Sequence, residues 1–515
     1  MRRRHPSTFQ TSSLYRHLLR MAPDWKVTNE ILEKTDEELS IYPNRIADSM
    51  ADRSILITGG TGFMGKVLLE KILRSCPKVA KIYLLVRPKK GKDPNQRIKE
   101  LFTSPLFDRL KSEQDGVLSR KVVGVAGDVL ISPDLGLSLA DKELLCRDVS
   151  IVYHGAATIR FDEPLKRAVM LNTRGTRQML ELAKEMHKLE LFLHISTAYC
   201  HLQEKVLYEK MYNPPADPHS IIKCMESVDD DVAEAMTKKV LGDLPNTYAF
   251  TKALSEGLVN EQMDKMPVLI LRPSIVVPVW KEPLPGWTDN INGPTGLLIG
   301  AGKGVIRTMY CNQEGYADYL PVDIAVNGFL VATWNYIANK DYEKRIYHLT
   351  SSSEIRISWA EIIERGRRIT EKIPLNNIAW YPGGSMKKSK LLHNICVFFF
   401  HLLPAYFIDS LIFLAGHKPI EKKAFKIDGE GLDIDSYFEH CISAARIYIL
   451  NEPLDTLPAA RRHMRMMYWV DVITKMLFFG FLMYMLVSVF DTFLDVSNGI
   501  YRLTGHVLSD KEATL

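Results

Sequence analysis

Cysteine is scarce in this chain, with seven residues among 515 and no paired spacing between them. That excludes a disulfide framework and argues against a zinc site, so no metal is expected, and it suits a reducing compartment. Charge of one sign is not in excess either: the net charge is +5, and the basic residues do not gather into a stripe with interleaved aromatics. Nucleic-acid binding is therefore not expected. Acidic residues are missing from positions 1–23, which carry Arg2, Arg3, Arg4, Arg16 and Arg20. Residues 1–45 read as an appended, disordered arm, with a mitochondrial presequence as the lesser reading. An uncharged run of full membrane-spanning length is also lacking: Met476 to Phe490 is uncharged, but at about 1.5 Å per residue it falls short of a ~30 Å hydrocarbon core unless Asp491 is tolerated near an interface.

What is present begins with Ser54-Ile-Leu-Ile-Thr58, a β-branched run of the kind that forms a buried parallel strand. Thr58-Gly-Gly-Thr-Gly-Phe-Met-Gly65 follows, and then Lys66 to Leu73, apolar at helical spacing. Gly59, Gly62 and Gly65 keep side chains out of this strand-to-helix turn, so the backbone can approach a pyrophosphate at the helix N-terminus. The next strand, Lys81 to Arg87, ends where an NAD-binding protein offers Asp or Glu to the ribose; here Arg87 is followed by Lys89 and Lys90. A guanidinium pairs with a 2′-phosphate, so the expected cofactor is NADPH. Two more strands end in Gly127-Asp128-Val129 and Gly155-Ala156-Ala157. Ligands lie beyond the carboxyl ends of such strands, which puts Asp128 near the adenine and Ala156 under the nicotinamide ribose. His154 reads as a satisfied buried histidine.

The strand Leu191 to Ile195 runs into Ser196-Thr197-Ala198-Tyr199, and Thr197 offers the hydroxyl of interest. Tyr248 and Lys252 lie one helical turn apart and share a face. A lysine ammonium beside the ring is expected to lower the phenol's pKa and ease proton exchange with a carbonyl oxygen. Tyr248 is the candidate acid. Cys200 reads as a free thiol, since no activating base stands beside it in sequence.

Together these residues resemble the extended short-chain dehydrogenase/reductases, and a wider pattern narrows the resemblance to the alcohol-forming fatty acyl-CoA reductases. It runs from about Ile46 to about Pro458. The stretches that carry it are Thr58 to Lys71, Leu84 to Arg87, His194 to Tyr199, Pro245 to Lys252, Leu271 to Val276 and Pro285 to Asn290, with Gly293-Pro-Thr-Gly296 and Leu320-Pro-Val-Asp323. The resemblance implies an α/β fold: a Rossmann-type doubly wound parallel sheet, a smaller substrate lobe and a helical, apolar C-terminal region. It implies a catalytic set of Thr197, Tyr248 and Lys252. The implied cofactor set is Thr58, Gly59, Thr61, Gly62, Phe63, Met64, Gly65, Arg87, Asp128, Val129, Ala156, Tyr248, Lys252 and Pro273. The implied reaction takes a long-chain fatty acyl-CoA to a primary alcohol through an aldehyde, with two NADPH and release of coenzyme A. Two rivals stay open: a reductase or epimerase acting on a sterol or nucleotide sugar, and a membrane-tethered NADPH-binding scaffold without activity.

Composition shifts suggest a nucleotide-binding domain over 46–275, a substrate-facing lobe over 276–390 and a shortened C-terminal domain over 391–460. In the last, several tens of residues normally present in the family are missing. The insertion at 200–245 carries Pro214-Pro215 and Asp229-Asp230-Asp231, a surface loop and a helix start. Ile395 to Gly416 is apolar but broken by His401, Pro404 and Asp409, which suits a re-entrant or protein-buried hairpin. Residues 461–515 supply a basic flank, with Arg461, Arg462, His463 and Arg465, and a candidate membrane helix at about 476–494. The positive-inside rule then keeps the catalytic domain on the cytosolic side, at the endoplasmic reticulum or the peroxisome.

Overall fold

The computed structural model describes residues 44–88, 93–351, 356–406 and 441–512. The expected arm over 1–45, Lys89 and Lys90, and the stretch 407–416 of the apolar C-terminal run thus lie almost wholly outside the described residues.

Six strands form in chain order: β1 Ser54–Thr58, β2 Lys81–Val86, β3 Val122–Ala126, β4 Val149–His154, β5 Leu191–Ile195 and β6 Val268–Pro273. Five shorter ones follow: β7 Ile275–Val277, β8 Thr308–Tyr310, β9 Tyr319–Pro321, β10 Ile346–Leu349 and β11 Ser385–Lys387. The main sheet has seven strands in the order β10-β6-β5-β4-β1-β2-β3. All its pairings are parallel. From β1 the chain proceeds outward through β2 and β3, then returns to β4 on the other side of β1. That reversal opens a crevice at the strand ends of β1 and β4, the place where α/β sheets bind ligands.

Both faces of the sheet are covered, and the strands are apolar throughout for that reason. Ile55 and Ile57 point into one core with Leu68, Leu69 and Ile72 of helix α1, Phe63–Ser75. Leu56, between them, joins the opposite core with Val152, Phe192, Met179 and Leu254. Period-two alternation thus feeds two cores from one strand. Met179 belongs to helix α2, Gly175–Lys184, and Leu254 to helix α3, Thr247–Asn260. The Rossmann-type doubly wound sheet expected from sequence is the observed fold.

The smaller lobe contains helix α4, Pro294–Gly302, and pairs β7 with β9 and β8 with β11. Its own core joins Val277, Tyr319, Leu375 and Ile378 to Ile362 and Ile369 of helix α6, Trp359–Lys372. The lobe is not the continuous block 276–390 expected from composition. Helix α5, Val322–Ile337, packs Val326 and Phe329 into the core beneath α1, and β10 pairs with β6 at the sheet edge. A four-residue strand fed by a short loop carries too little periodicity to be read in advance.

The C-terminal segment closes onto this lobe: Cys441, Ile442 and Met464 complete its core. Arg446 is fully buried and donates to Pro374 O and to Thr456 Oγ1, while pairing with Glu452. The segment after β11 forms helix α7, Lys390–Val397, continued by a π-turn over Phe398–Leu402. Neither element has a buried residue, and Phe398, Phe399 and Phe400 are each about half exposed, so the described part of the expected hairpin is not protein-buried; its remainder lies outside the described residues. The last helix, α8, Leu457–Glu512, runs through Asp491 without a break and is far longer than the expected 476–494. Within Leu454–Val489 it is long and apolar enough to cross a membrane, by length and composition.

Candidate active site

The glycine turn joins β1 to α1 at the switch point. Gly59 has φ +74°, and a Cβ there would sit 2.9 Å from the Gly155 carbonyl carbon. A Cβ on Gly65 would sit 2.3 Å from Gly59 O and 2.7 Å from Gly60 Cα. The turn therefore closes only because neither position carries a side chain, and it leaves a backbone cradle at the N-terminus of α1. A dinucleotide pyrophosphate fits that cradle. Gly62 is the N-cap of α1 and has no side chain to satisfy the first amides, while Thr61, Phe63 and Met64 stay partly exposed around it.

The Thr58 hydroxyl is engaged within the protein. Buried, it bonds His154 Nδ1 at 2.8 Å and accepts from Ala156 N at 3.1 Å. It ties β1 to β4 and fixes the Ala156 loop beside the cradle. His154 is satisfied as expected, with Nε2 3.0 Å from Thr176 Oγ1; burial pushes it down to about 3. At the ends of β2 and β3, Arg87 Nε lies 3.7 Å from Asp128 Oδ2. Arg87 is more than half exposed, so this loose pair leaves its fork open to a ligand. Asp128 also caps its own loop by accepting from Leu130 N. Val129 is buried and packs where a Cβ on Gly175 would stand, so its side chain belongs to the core.

On the other side of the crevice, Thr197 leaves the end of β5 and the Ala198 amide donates to Pro273 O at the end of β6, 2.9 Å away. Asn246 caps α3 by accepting from Ala249 N, which orients the first turn that carries Tyr248. The Thr197 hydroxyl lies near enough to the Tyr248 phenol to favour its ionised form. Phe161 packs against the Tyr248 ring at 5.8 Å between centroids. Lys252 is buried and donates to Ile195 O at 2.7 Å. Burial lowers it to about 8, partly opposed by Cys200 and Glu256. The sequence-based expectation about Tyr248 needs correcting here. Burial of the phenol, only partly opposed by Thr197, pushes it up to about 12, and the Lys252 ammonium is spent on the β5 carbonyl. At neutral pH Tyr248 holds its proton, as a proton donor must.

Two features escaped the sequence reading. The helix before α2 carries a π-turn over Val169–Arg174, and within it Asn172 donates to Thr251 Oγ1 at 2.9 Å and to Thr158 O at 3.1 Å. π-turns inside helices cluster at functional sites. This one locks α3, beside Lys252, to the loop bearing Phe161. The second feature lies behind Lys252, where Glu256 takes a two-pronged bond from Arg272 at 2.9 and 2.8 Å, with both side chains fully buried. His201 Nε2 lies 3.0 Å from Glu256 Oε2, and Cys200 Sγ donates to Oε1 at 3.4 Å. Burial and the adjacent Glu256 charge push the Cys200 thiol far up, which makes it inert. The Cys200, His201 and Glu256 ligand atoms lie within 4.8 Å of one another, but the Arg272 fork already occupies both carboxylate oxygens with a fixed positive charge.

The Pro285 to Asn290 stretch folds over the start of α1: Trp287 stacks on Phe63 at 5.8 Å and Asp289 pairs with Lys66 at 2.7 Å. Asp323 accepts from the amides of Trp280, Lys281 and Glu282, which holds that loop in place. Beyond β7 an apolar cavity of about 40 Å³ opens in the lobe, lined by Val277, Leu298, Tyr319, Ile362 and Ile442.

A family model described as male sterility protein, for an NAD-binding domain, matches residues 57–329. Fatty acyl-CoA reductase 1 of Rattus norvegicus is 38% identical over 452 residues, 80% of this chain and 87% of that one. The Xenopus laevis protein of the same name is 37% identical over the same shares. Among solved structures, the reductase domain of a nonribosomal peptide synthetase from Mycobacterium tuberculosis superposes with a TM-score of 0.52 at 16% identity, covering 79% of this chain and 96% of that one. At that identity the likeness concerns the fold.

Proposed function

Because the chain belongs to the fatty acyl-CoA reductases, and is thus a nicotinamide-dependent oxidoreductase that reduces fatty acyl-CoA, we propose that NADPH is its donor, that the product is the primary alcohol, and that Thr197, Tyr248 and Lys252 carry the chemistry. The observation that carries this reading is that Thr197, just past the end of β5, lies near Tyr248 in the first turn of α3, with a backbone cradle that admits no side chain at the start of α1.

Bound in the cradle, NADPH supplies hydride to the carbonyl carbon. The protein's part is electrostatic and protonic. Thr197 and Tyr248 direct two hydroxyls at the carbonyl oxygen, where negative charge develops. Coenzyme A leaves as the thiolate, and an aldehyde stays in the site. In the second reduction Tyr248, still protonated at neutral pH, gives its proton to the alkoxide and leaves the alcohol. Two NADPH and two protons, one given to the alkoxide and one taken up from solvent by the departed thiolate, thus take one acyl-CoA to one alcohol and free coenzyme A. Lys252 orients the ribose and keeps a positive charge next to the reacting pair. Arg87 meets the 2′-phosphate with Asp128 beside the adenine. The C-terminal helix α8 holds the enzyme at a membrane with the catalytic domain on the cytosolic side, a reading supported by its length, its apolar exposed surface and the basic flank at Arg462 and Arg465.

Incubating the purified protein with NADPH and palmitoyl-CoA and identifying the products tests this reading. Alcohol with two NADPH consumed per coenzyme A released is expected. Aldehyde as the final product, or consumption of NADH at equal efficiency, would overturn it.

A further inference from the structure

We propose that the helical segment 390–406 is a second membrane contact: it lies in the headgroup region of the bilayer and, with α8, docks the substrate lobe flat against an anionic lipid surface. The anchoring reading above supplies only where the bilayer lies.

The segment carries an apolar face that nothing among the described residues covers. Leu391, Ile395, Phe398 and Leu402 follow helical spacing and are 72%, 45%, 52% and 37% exposed. Single exposed apolar residues are ordinary on a protein surface, but a continuous stripe is a binding face. The opposite side holds the segment to the lobe through polar bonds. His393 Nδ1 lies 3.2 Å from Thr308 Oγ1, and His401 Nε2 accepts from Arg307 N at 2.9 Å.

Arg307 identifies the occupant, because the same residue also fixes α8. Its guanidinium pairs with Asp471 at 3.3 Å, and Trp380 Nε1 donates to the same carboxylate. One residue at the start of β8 therefore bonds both helices. The apolar surface of α8 begins about one turn beyond Asp471, with Met476, Leu477 and Phe479 exposed at 69%, 69% and 61%. The two apolar surfaces are thus tied to the lobe at the same residue. Tyr468 and Trp469, exposed on α8 just before Asp471, form an aromatic pair of the kind that sits at the membrane–water interface. Charge agrees: Lys387, Lys388 and Lys390 stand at the entry to α7, and Arg462 and Arg465 at the base of α8. A protein partner would be expected to meet a polar rim with acceptors in fixed places. A bilayer needs only an apolar stripe with cations along its edge, and that is what the segment offers.

The test uses the full-length protein reconstituted into vesicles of phosphatidylcholine and phosphatidylserine that contain a phospholipid with a photoactivatable acyl chain. Labelled peptides are mapped by mass spectrometry. Label in both 391–406 and 476–489 is expected. Label in 476–489 alone overturns the proposal and leaves the anchor standing, because the face is then covered by the chain itself or by a partner. Label in 391–406 alone removes the anchor and overturns joint docking with α8; label in neither overturns both. The exposed pair Phe398→Ser and Leu402→Ser should cut labelling of 391–406 by at least about tenfold while α8 stays labelled. Lys387→Glu and Lys390→Glu should weaken docking to anionic vesicles by roughly fivefold per charge removed and leave pure phosphatidylcholine vesicles little affected. No change in either variant also counts against the proposal.

Discussion

Arg87, Tyr248 and Lys252 each make a claim that one substitution tests. Among the described residues Arg87 pairs loosely with Asp128, which suits a fork that meets a phosphate. Arg87→Asp removes a charge-assisted bond, worth about 1.5–3 kcal/mol, and adds repulsion. NADPH should bind about 10- to 100-fold more weakly while NADH changes little, measured by fluorescence titration of both cofactors; equal losses would contradict the assignment. Tyr248→Phe keeps the ring against Phe161 but removes the proton. Cofactor affinity should persist while kcat falls by about 10²- to 10⁴-fold. The pH profile separates the two groups. Lys252, lowered to about 8 by burial, is charged below that value and neutral above it, whereas Tyr248 keeps its proton up to about 12. Activity should therefore decline as pH rises through about 8, with Tyr248 playing no part in that limb. Measuring kcat/KM between pH 6 and 10 checks this, and Tyr248→Phe should retain the limb at its reduced rate.

Elements show why part of the site was legible and part was not. The glycine turn could be read because its constraint is local: a side chain at Gly65 meets Gly59 and Gly60, both within six residues. Gly65→Ala should cost about 1–3 kcal/mol in overpacking and weaken NADPH by tenfold or more, read by thermal melts and titration. Tyr248 and Lys252 were legible for the same reason, being one turn apart on α3. The π-turn at Asn172 was not, because an extra residue in a helix leaves the apolar pattern nearly unchanged. Nor was the cluster behind Lys252, whose members Cys200, His201, Glu256 and Arg272 come from three segments that only the folded sheet brings together. Burial raises the Glu256 carboxyl, but the bonds from His201 and Arg272 outweigh it and hold it far below the usual carboxylate range. A depressed acid adds stability that is present above its unfolded pKa and lost only as pH falls through the folded value, so this pair should stay intact well below pH 4. Glu256→Gln leaves Arg272 buried without its counter-charge, and about 3–5 kcal/mol of stability should go, visible as a lower urea midpoint at pH 7. An unchanged midpoint would mean that the carboxamide serves Arg272 as well as the carboxylate does.

At the scale of the whole molecule, the lobe and the C-terminal helix form one mechanical unit. The base of α8 is part of the lobe: Ala460 and Met464 are buried, Asp471 bonds Arg307 and Trp380, and Arg461 donates to Lys372 O. Beyond Lys475 the described side chains are exposed and apolar. A cut has opposite consequences on the two sides of Asp471. Removing everything after Lys475 takes away the apolar surface but keeps the lobe contacts. That protein should move from the membrane pellet to the supernatant and keep most of its turnover on a short, soluble acyl-CoA. Removing everything after Pro458 also strips Met464 and Asp471 from the lobe, which exposes its core, and that protein should aggregate. Carbonate extraction of the intact chain completes the comparison, because an embedded helix resists high pH and a docked one is released. Release of the intact chain, together with a soluble and active form cut after Pro458, would show that α8 neither crosses the bilayer nor supports the lobe.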